Sequence, residues 1–207
     1  ALPFSVKLSP QTQDVLPVAM AVEKAGANAL TLQARLSGIM IDIDSATPIG
    51  WGSIGGYGGP YLLGYGLKWV SRVAPKVKIP ISAVLGVWDW EDIIRYIMVG
   101  ATTVQSGAAL MMRGFGVART WLSGITNWME KRGYSSLDEI RGAALKNVIS
   151  TAEVERNPPC RVVSDPTKCI GCGECVISCF YDAVTVSDRN PRVDTDKCDV
   201  CGMCIEK

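Results

Sequence analysis

The sequence predicts an α/β domain built on a parallel sheet, followed by a small cysteine-rich module. Three observations carry that reading. Short apolar runs alternate with stretches of helical periodicity through residue 148. The strand-like runs are nearly continuous in apolar residues, as in a parallel sheet with helices outside. All eight cysteines fall between Cys160 and Cys204.

The elements follow in order. "FSVKLS" (4–9) reads as a strand, and "QDVLPVAMAVEKAGA" (13–27) as a helix stopped at Gly26. "ALTLQA" (29–34) is the next strand, and a long connection follows that includes "GWGSIGGYGGP" (50–60). A helix is expected over about 61–75, then the strand "IPISAVLG" (79–86). Asp89 is the expected N-cap of the helix in "WDWEDIIRYIMVG". "TTVQSG" (102–107) is the fourth strand, with helices over about 108–131 and 136–147. Ser136 and Glu139 have capping-box spacing at the start of the last helix. Four βα units are half of an eight-fold barrel or a small doubly wound sheet, and periodicity does not separate the two.

Composition shifts in the polar, proline-containing segment 149–165, which reads as a linker between a domain over 1–148 and a module over 166–207. The net charge of +1 gives no reason to expect a nucleic-acid or acidic-membrane partner. The chain has no histidine, which removes His-based triads, His-ligated zinc and haem, and Rieske centres. No apolar run reaches membrane-spanning length. Cysteines confined to one short segment point to metal coordination in a reducing compartment, the cytoplasm by default, rather than to a disulfide scaffold.

Within the module, "CIGCGECVISC" places Cys169, Cys172, Cys175 and Cys179 at C-x2-C-x2-C-x3-C, and "CDVCGMC" repeats the first three positions at Cys198, Cys201 and Cys204. This is the spacing of bacterial two-cluster ferredoxins, in which the fourth cysteine of a run ligates the other cluster. Cys179 is then expected to complete the cluster of Cys198, Cys201 and Cys204. Cys169, Cys172 and Cys175 need one more thiolate, whose x3 position falls just past Lys207. Together with an opening, "ALPFSVKLSP", that reads like the inside of a domain, this gives the expectation of a sequence cut at both ends. Cys160 is the one spare thiol, and two zinc knuckles are the alternative use of these cysteines. Phe180 stands where such ferredoxin runs usually have proline.

"GSIGGYGGP" (52–60) supplies five glycines in nine residues on a βα connection, the side of a parallel sheet where ligands bind. A flexible surface loop is the plainer use of the same residues. "VLGV" (84–87) and "QSGAA" (105–109) end the last two strands, and Gly107 opens a helix, so its amides suit an anion. Lys7 lies in an apolar strand, where a solvated edge position and a cofactor contact are both open readings.

Taken together, "SVKLSP", "IDIDSATPIGWGSIGGYGGP", "IPISAVLGVWDWEDIIRYIMVGATTVQSGAAL" and the cysteine module resemble the dihydropyrimidine dehydrogenase branch of the dihydroorotate dehydrogenase family. The resemblance runs essentially end to end. It implies the C-terminal half of a flavin-binding (β/α)8 TIM-type barrel followed by a ferredoxin-like α+β module with two [4Fe–4S] clusters. It also implies FMN, with Lys7 and Gln33 at flavin positions, Gly55, Gly56, Gly58 and Gly59 as the flavin loop, and Gly86, Ser106, Gly107 and Ala108 as the phosphate-binding turns. The family's acid/base loop is expected upstream, so no catalytic residue is assigned.

Two departures are visible. Gln33-Ala34 stands where the family has Asn-Thr, and Ala83-Val84-Leu85-Gly86 stands where it has consecutive glycines. The implied function is an iron–sulfur flavoprotein oxidoreductase subunit acting on a C=C bond of a small molecule such as a pyrimidine. Its electrons would pass through the clusters to a subunit holding NAD(P) or FAD, in an oligomer or complex. The two departures permit an alternative, a non-catalytic electron-transfer subunit of a larger redox complex whose barrel has lost flavin or substrate binding.

Overall fold

The computed structural model describes residues 2–50, 54–154, 165 and 167–205. The chain divides into two compact units, Ala1–Val148 and Ile149–Lys207. In the first, β1 (Ser5–Lys7), α1 (Val15–Lys24), β2 (Ala29–Leu32), β3 (Leu36–Gly38), β4 (Ile41–Asp42), β5 (Thr47–Pro48) and β6 (Gly55–Tyr57) follow one another. Then come α2 (Leu63–Val73), β7 (Ile81–Ala83), α3 (Trp90–Met98), β8 (Thr103–Val104), α4 (Ala108–Arg113) and α5 (Val117–Arg132).

β1, β2, β7 and β8 form one sheet in that order, and every neighbouring pair is parallel. The strands are thus laid down in the order of the chain, without the reversal of a doubly wound sheet. Because side chains alternate along a strand, Val6, Leu8, Leu30, Leu32, Ile81 and Ala83 share one face. That face packs against Val15 and Ala19 of α1, Trp69, Val70 and Val73 of α2, and Tyr96 of α3. Burying a leucine such as Leu30 or Leu32 contributes about 1.5–3 kcal/mol.

The other face corrects the expectation of strands apolar on both sides. Lys7, Thr31, Ser82 and Thr103 stand at one level across all four strands. Ser5 and Thr31 hydroxyls lie 3.4 Å apart, and Thr103 donates to Ser82 Oγ at 2.8 Å. Threonine and serine fit a strand as well as valine does, so a polar face was hidden inside runs that read as apolar.

Helix ends follow local chemistry. Asp14 caps α1, accepting from Leu16 N–H at 3.0 Å. Asp89 caps α3, and Asp92 reaches back to the N–H groups of Trp88 and Asp89 at 2.9 and 3.0 Å. Two helical expectations need correction. The helix expected over 108–131 is broken into α4 and α5 at Gly114, whose φ of 80° is left-handed. The helix expected over 136–147 is only two short 3-10 turns, at Leu137–Glu139 and Leu145–Asn147. Its capping box forms, with Glu139 accepting from Ser136 N–H at 2.8 Å. Propagation stops because Gly142 and Ala144 donate instead to the carbonyls of Ile97 and Met98 at the end of α3.

The connection between β2 and α2, featureless in the sequence, is a pair of small antiparallel ladders. β3 pairs with β6, matching Ser37 to Gly56, and β4 pairs with β5. In the second unit, α6 (Glu174–Ile177) precedes the hairpin of β9 (Val184–Ser187) and β10 (Asn190–Val193), with Ala183 and Val184 buried. Among the described residues no helix is long and apolar enough to cross a membrane.

Candidate functional site

A cavity of about 490 Å³ opens beyond the C-terminal ends of β7 and β8. That size falls within the usual range of small-molecule sites. It is lined by Arg35, the glycine-rich stretch 56–59, the loop 84–88, the turn 105–108 and Met111. The lining therefore contains Gly56, Gly58, Gly59, Gly86, Ser106, Gly107 and Ala108 of the residues singled out in the sequence. Gly55, Lys7 and Gln33 lie outside that lining. Lys7 is exposed at the end of β1, an edge strand of the sheet.

Gln33 follows β2 and is 1% exposed, yet neither polar atom of its amide has a hydrogen-bond partner among the described residues. A buried amide left unpaired costs about 1–3 kcal/mol, which marks Gln33 as a group that a ligand could satisfy. Gln33 lies just past the last residue of β2, beyond its paired register.

The loop 84–88 is held in place from below. Tyr96, fully buried, donates its hydroxyl to Leu85 O at 2.7 Å and lies 3.3 Å from Val84 O. Burial, with Asp92 nearby, pushes this phenol's pKa up, so it is a donor at any ordinary pH. Gly86 has φ +71°, and a Cβ there would come within 2.1 Å of Leu63 N at the start of α2, so only glycine fits. Leu85 sits at φ 99° with its side chain buried, a left-handed conformation that costs a branched residue about 1–3 kcal/mol. The departure Leu85 thus both lines the cavity and carries strain.

Among the described residues the donors that line the cavity are the Arg35 guanidinium and backbone amides at 58–59 and 106–108, and no carboxylate lines it; Gln105 is already engaged with Ala83 O and Ser82 Oγ. That donor set, with open space where a Cβ would stand at Gly58 and Gly107, fits a polyanionic ligand such as a flavin mononucleotide. Sequence reading missed Arg35, Tyr57, Trp88 and Met111. The periodicity of 29–34 gave no sign that the chain would turn back as a hairpin and carry Arg35 over the cavity.

In the second unit the two cysteine loops share one backbone plan. Cys169 N–H donates to Asp165 O at 3.2 Å, and Cys198 N–H donates to Asp194 O at 3.0 Å. Gly171 and Gly173 have φ of 76° and 79°, and the equivalent Val200 and Gly202 have 52° and 79°. Cys179, Cys198, Cys201 and Cys204 line one small cavity. Cys179 Sγ also accepts from Ala183 N–H at 3.3 Å. Burial, and then the neighbouring thiols of Cys198, Cys179 and Cys201, push the Cys204 thiol's pKa up, the crowding that bound cations would relieve. Tyr181 donates to Asp199 Oδ2 at 2.9 Å, tying the segment after Cys179 to the second loop. Cys169, Cys172 and Cys175 stand around the first loop, partly or fully exposed. Cys160 and most of the linker 149–165 lie outside the described residues.

Residues 1–129 match the model of the dihydroorotate dehydrogenase family, and the chain belongs to that family. Residues 161–207 match a 4Fe-4S dicluster domain. The chain is 38% identical over 144 residues to the catalytic subunit of dihydroorotate dehydrogenase B (NAD(+)) from Pyrococcus furiosus, covering 70% of this chain and 48% of that protein. The corresponding subunit from Pyrococcus abyssi is 36% identical over the same shares. The NAD-dependent dihydropyrimidine dehydrogenase subunit PreA of Escherichia coli K12 is 30% identical over 205 residues, 95% of this chain and 50% of that protein. The chain spans about half the length of the curated relatives it matches.

Proposed function

We propose that this chain is the flavin-cradling and cluster-carrying portion of an iron–sulfur flavoprotein oxidoreductase that acts on a CH–CH bond of a pyrimidine. The observation that carries the reading is the pairing, on one chain, of a cavity at the ends of parallel strands, lined by no carboxylate among the described residues, with two cysteine loops of the same backbone plan. The likeness to dihydroorotate and dihydropyrimidine dehydrogenases supports the reaction class. Strands laid down in chain order support an arc of four βα units from a (β/α)8 barrel, with 1–148 as the barrel part and 166–207 as the cluster module.

In this reading Gly86, Gly107 and Ala108 would hold the phosphate of FMN, and Gly55, Gly56, Gly58, Gly59 and Gln33 would hold the rest of the flavin. Lys7 pairs with Thr31, two residues before Gln33, and would supply positive charge to the flavin. FMN bound there would supply the conversion between two-electron hydride chemistry and one-electron carriers. Cys179, Cys198, Cys201 and Cys204 hold one [4Fe–4S] cluster; Cys169, Cys172 and Cys175 supply three ligands to the other. Tyr96 keeps the 84–88 loop in place, so that Leu85 and Gly86 present a fixed wall. The electron partner is an NAD(P)- or FAD-holding subunit, and the compartment is the cytoplasm, where thiolates stay reduced.

The test uses the full-length protein purified without oxygen. Dihydroorotate or dihydrouracil is expected to bleach resolved flavin absorption over the broad iron–sulfur shoulder. Extracted cofactor containing iron and sulfide but no flavin would sink the reading and leave an electron-transfer subunit.

A further inference from the structure

We propose that Arg35 is the anion-reading side chain of the cavity, taking an oxyanion of the bound ligand, either a phosphate or a carboxylate, with its planar guanidinium. This rests on the flavoprotein reading for the ligands named below, but not for the anion itself.

Among the described residues Arg35 is the only charged one that lines the cavity, and no aspartate or glutamate there competes for it. It makes no ion pair or hydrogen bond with any described residue. Arg72, Arg95, Arg113 and Arg141 of the same unit are paired with Asp14, Asp92, Asp89 and Asp138. Its stem has a seat. Gly56, paired with Ser37 in the β3–β6 ladder, would bring a Cβ within 2.8 Å of Arg35 Cδ. Glycine at 56 thus leaves the room across which the arginine side chain lies.

The backbone of residues 106–108 also lines the cavity. A guanidinium is weakly hydrated and forks onto two oxygens of one phosphate or carboxylate. An unpaired arginine in a lining that has no carboxylate among the described residues is matched by an anion. The same chemistry has two sources here, the phosphate of a flavin nucleotide and the carboxylate of an acidic pyrimidine. The β3–β6 pairing, which Arg35 immediately precedes, therefore positions the side chain that reads ligand charge.

The experiment compares matched ligands that differ only by the anion, on full-length wild-type protein, Arg35→Gln, Arg35→Lys and Gly56→Ala. FMN and riboflavin are titrated into flavin-free protein by fluorescence quenching, and orotate and uracil into flavin-loaded protein by perturbation of the flavin band. Inorganic phosphate is titrated into flavin-free protein by calorimetry. Arg35→Gln is expected to weaken the anionic member of one pair about 10- to 100-fold while the neutral member changes by less than about twofold.

A selective loss for FMN assigns the phosphate, and a selective loss for orotate assigns the carboxylate. Arg35→Lys is expected to fall between wild type and Arg35→Gln. Gly56→Ala, which keeps the charge but crowds its stem, should weaken the same ligand, and it carries the test if Arg35→Gln does not fold. Wild-type affinity of Arg35→Gln for FMN, orotate and phosphate alike overturns the assignment while leaving the flavoprotein reading intact. A wild-type protein that ignores flavin but binds phosphate through Arg35 keeps the anion site and removes the flavin.

Discussion

The two cysteine loops invite comparison because they are the same structure written twice. Residues 165–175 and 194–204 both begin with an aspartate whose carbonyl accepts from the first cysteine's N–H four residues on. Both place left-handed residues before and after the second cysteine. They differ in two respects. The second loop has Val200 where the first has Gly171, and the second shares a cavity with a fourth thiol, Cys179, while the first supplies three. The left-handed position is a requirement of cysteines converging from a tight turn, since it is kept even where the residue is β-branched. Strain at Val200 is tolerated in the loop that has four thiols around it.

The ways to break this comparison run from large to small. Cys179→Ala is expected to remove the cluster of the second loop alone, dropping iron and sulfide from about eight to about four per chain. Iron analysis with Mössbauer spectroscopy checks it, and retention of both clusters would refute the crossed ligand set. Gly171→Val in the first loop forces the strain that the second already carries. A loss of about 1–3 kcal/mol is expected, read as a lower midpoint in denaturant. The reverse swap, Val200→Gly, relieves that strain but gives the unfolded chain more freedom, so a gain of no more than about 1 kcal/mol should appear.

Tyr181→Phe removes the tie to Asp199. It is expected to speed chelator-driven iron loss from one cluster by severalfold, about 1 kcal/mol or less for an exposed bond. A uniform change in both clusters would show that the tie is not specific to the second loop.

The smallest effect concerns pH. The Thr167 hydroxyl, and then its N–H, hold the Asp165 carboxyl below the usual carboxylate range. A carboxyl lowered in the folded state adds stability above its unfolded value of about 3.9. That contribution is lost as pH falls through the lowered value. Opening of the first loop is thus expected only below about pH 4, and Asp165→Asn should flatten that limb in hydrogen-exchange measurements.

The same contrast separates what the sequence discloses from what it hides. Cysteine spacing, the N-cap Asp89 and the Ser136–Glu139 capping box are local, a few residues wide, and they read directly. The 136–147 helix failed because its N–H groups found carbonyls on α3, some forty-five residues earlier in the chain. A local capping box cannot report such a partner. Arg35 was invisible for a related reason, since its place depends on the pairing of β3 with β6 across the β4–β5 ladder. The polar face of the sheet was missed because serine and threonine do not interrupt a strand. Gln33 was legible as a departure from the family pattern, but its burial without a hydrogen-bond partner among the described residues is seen only in the fold.

Quantifying iron, acid-labile sulfide and flavin in the full-length protein, isolated without oxygen, tests the central reading most directly. The expected result is one FMN with about eight iron and eight sulfide per chain. Zinc in the cysteine loops, or iron without flavin, would contradict it.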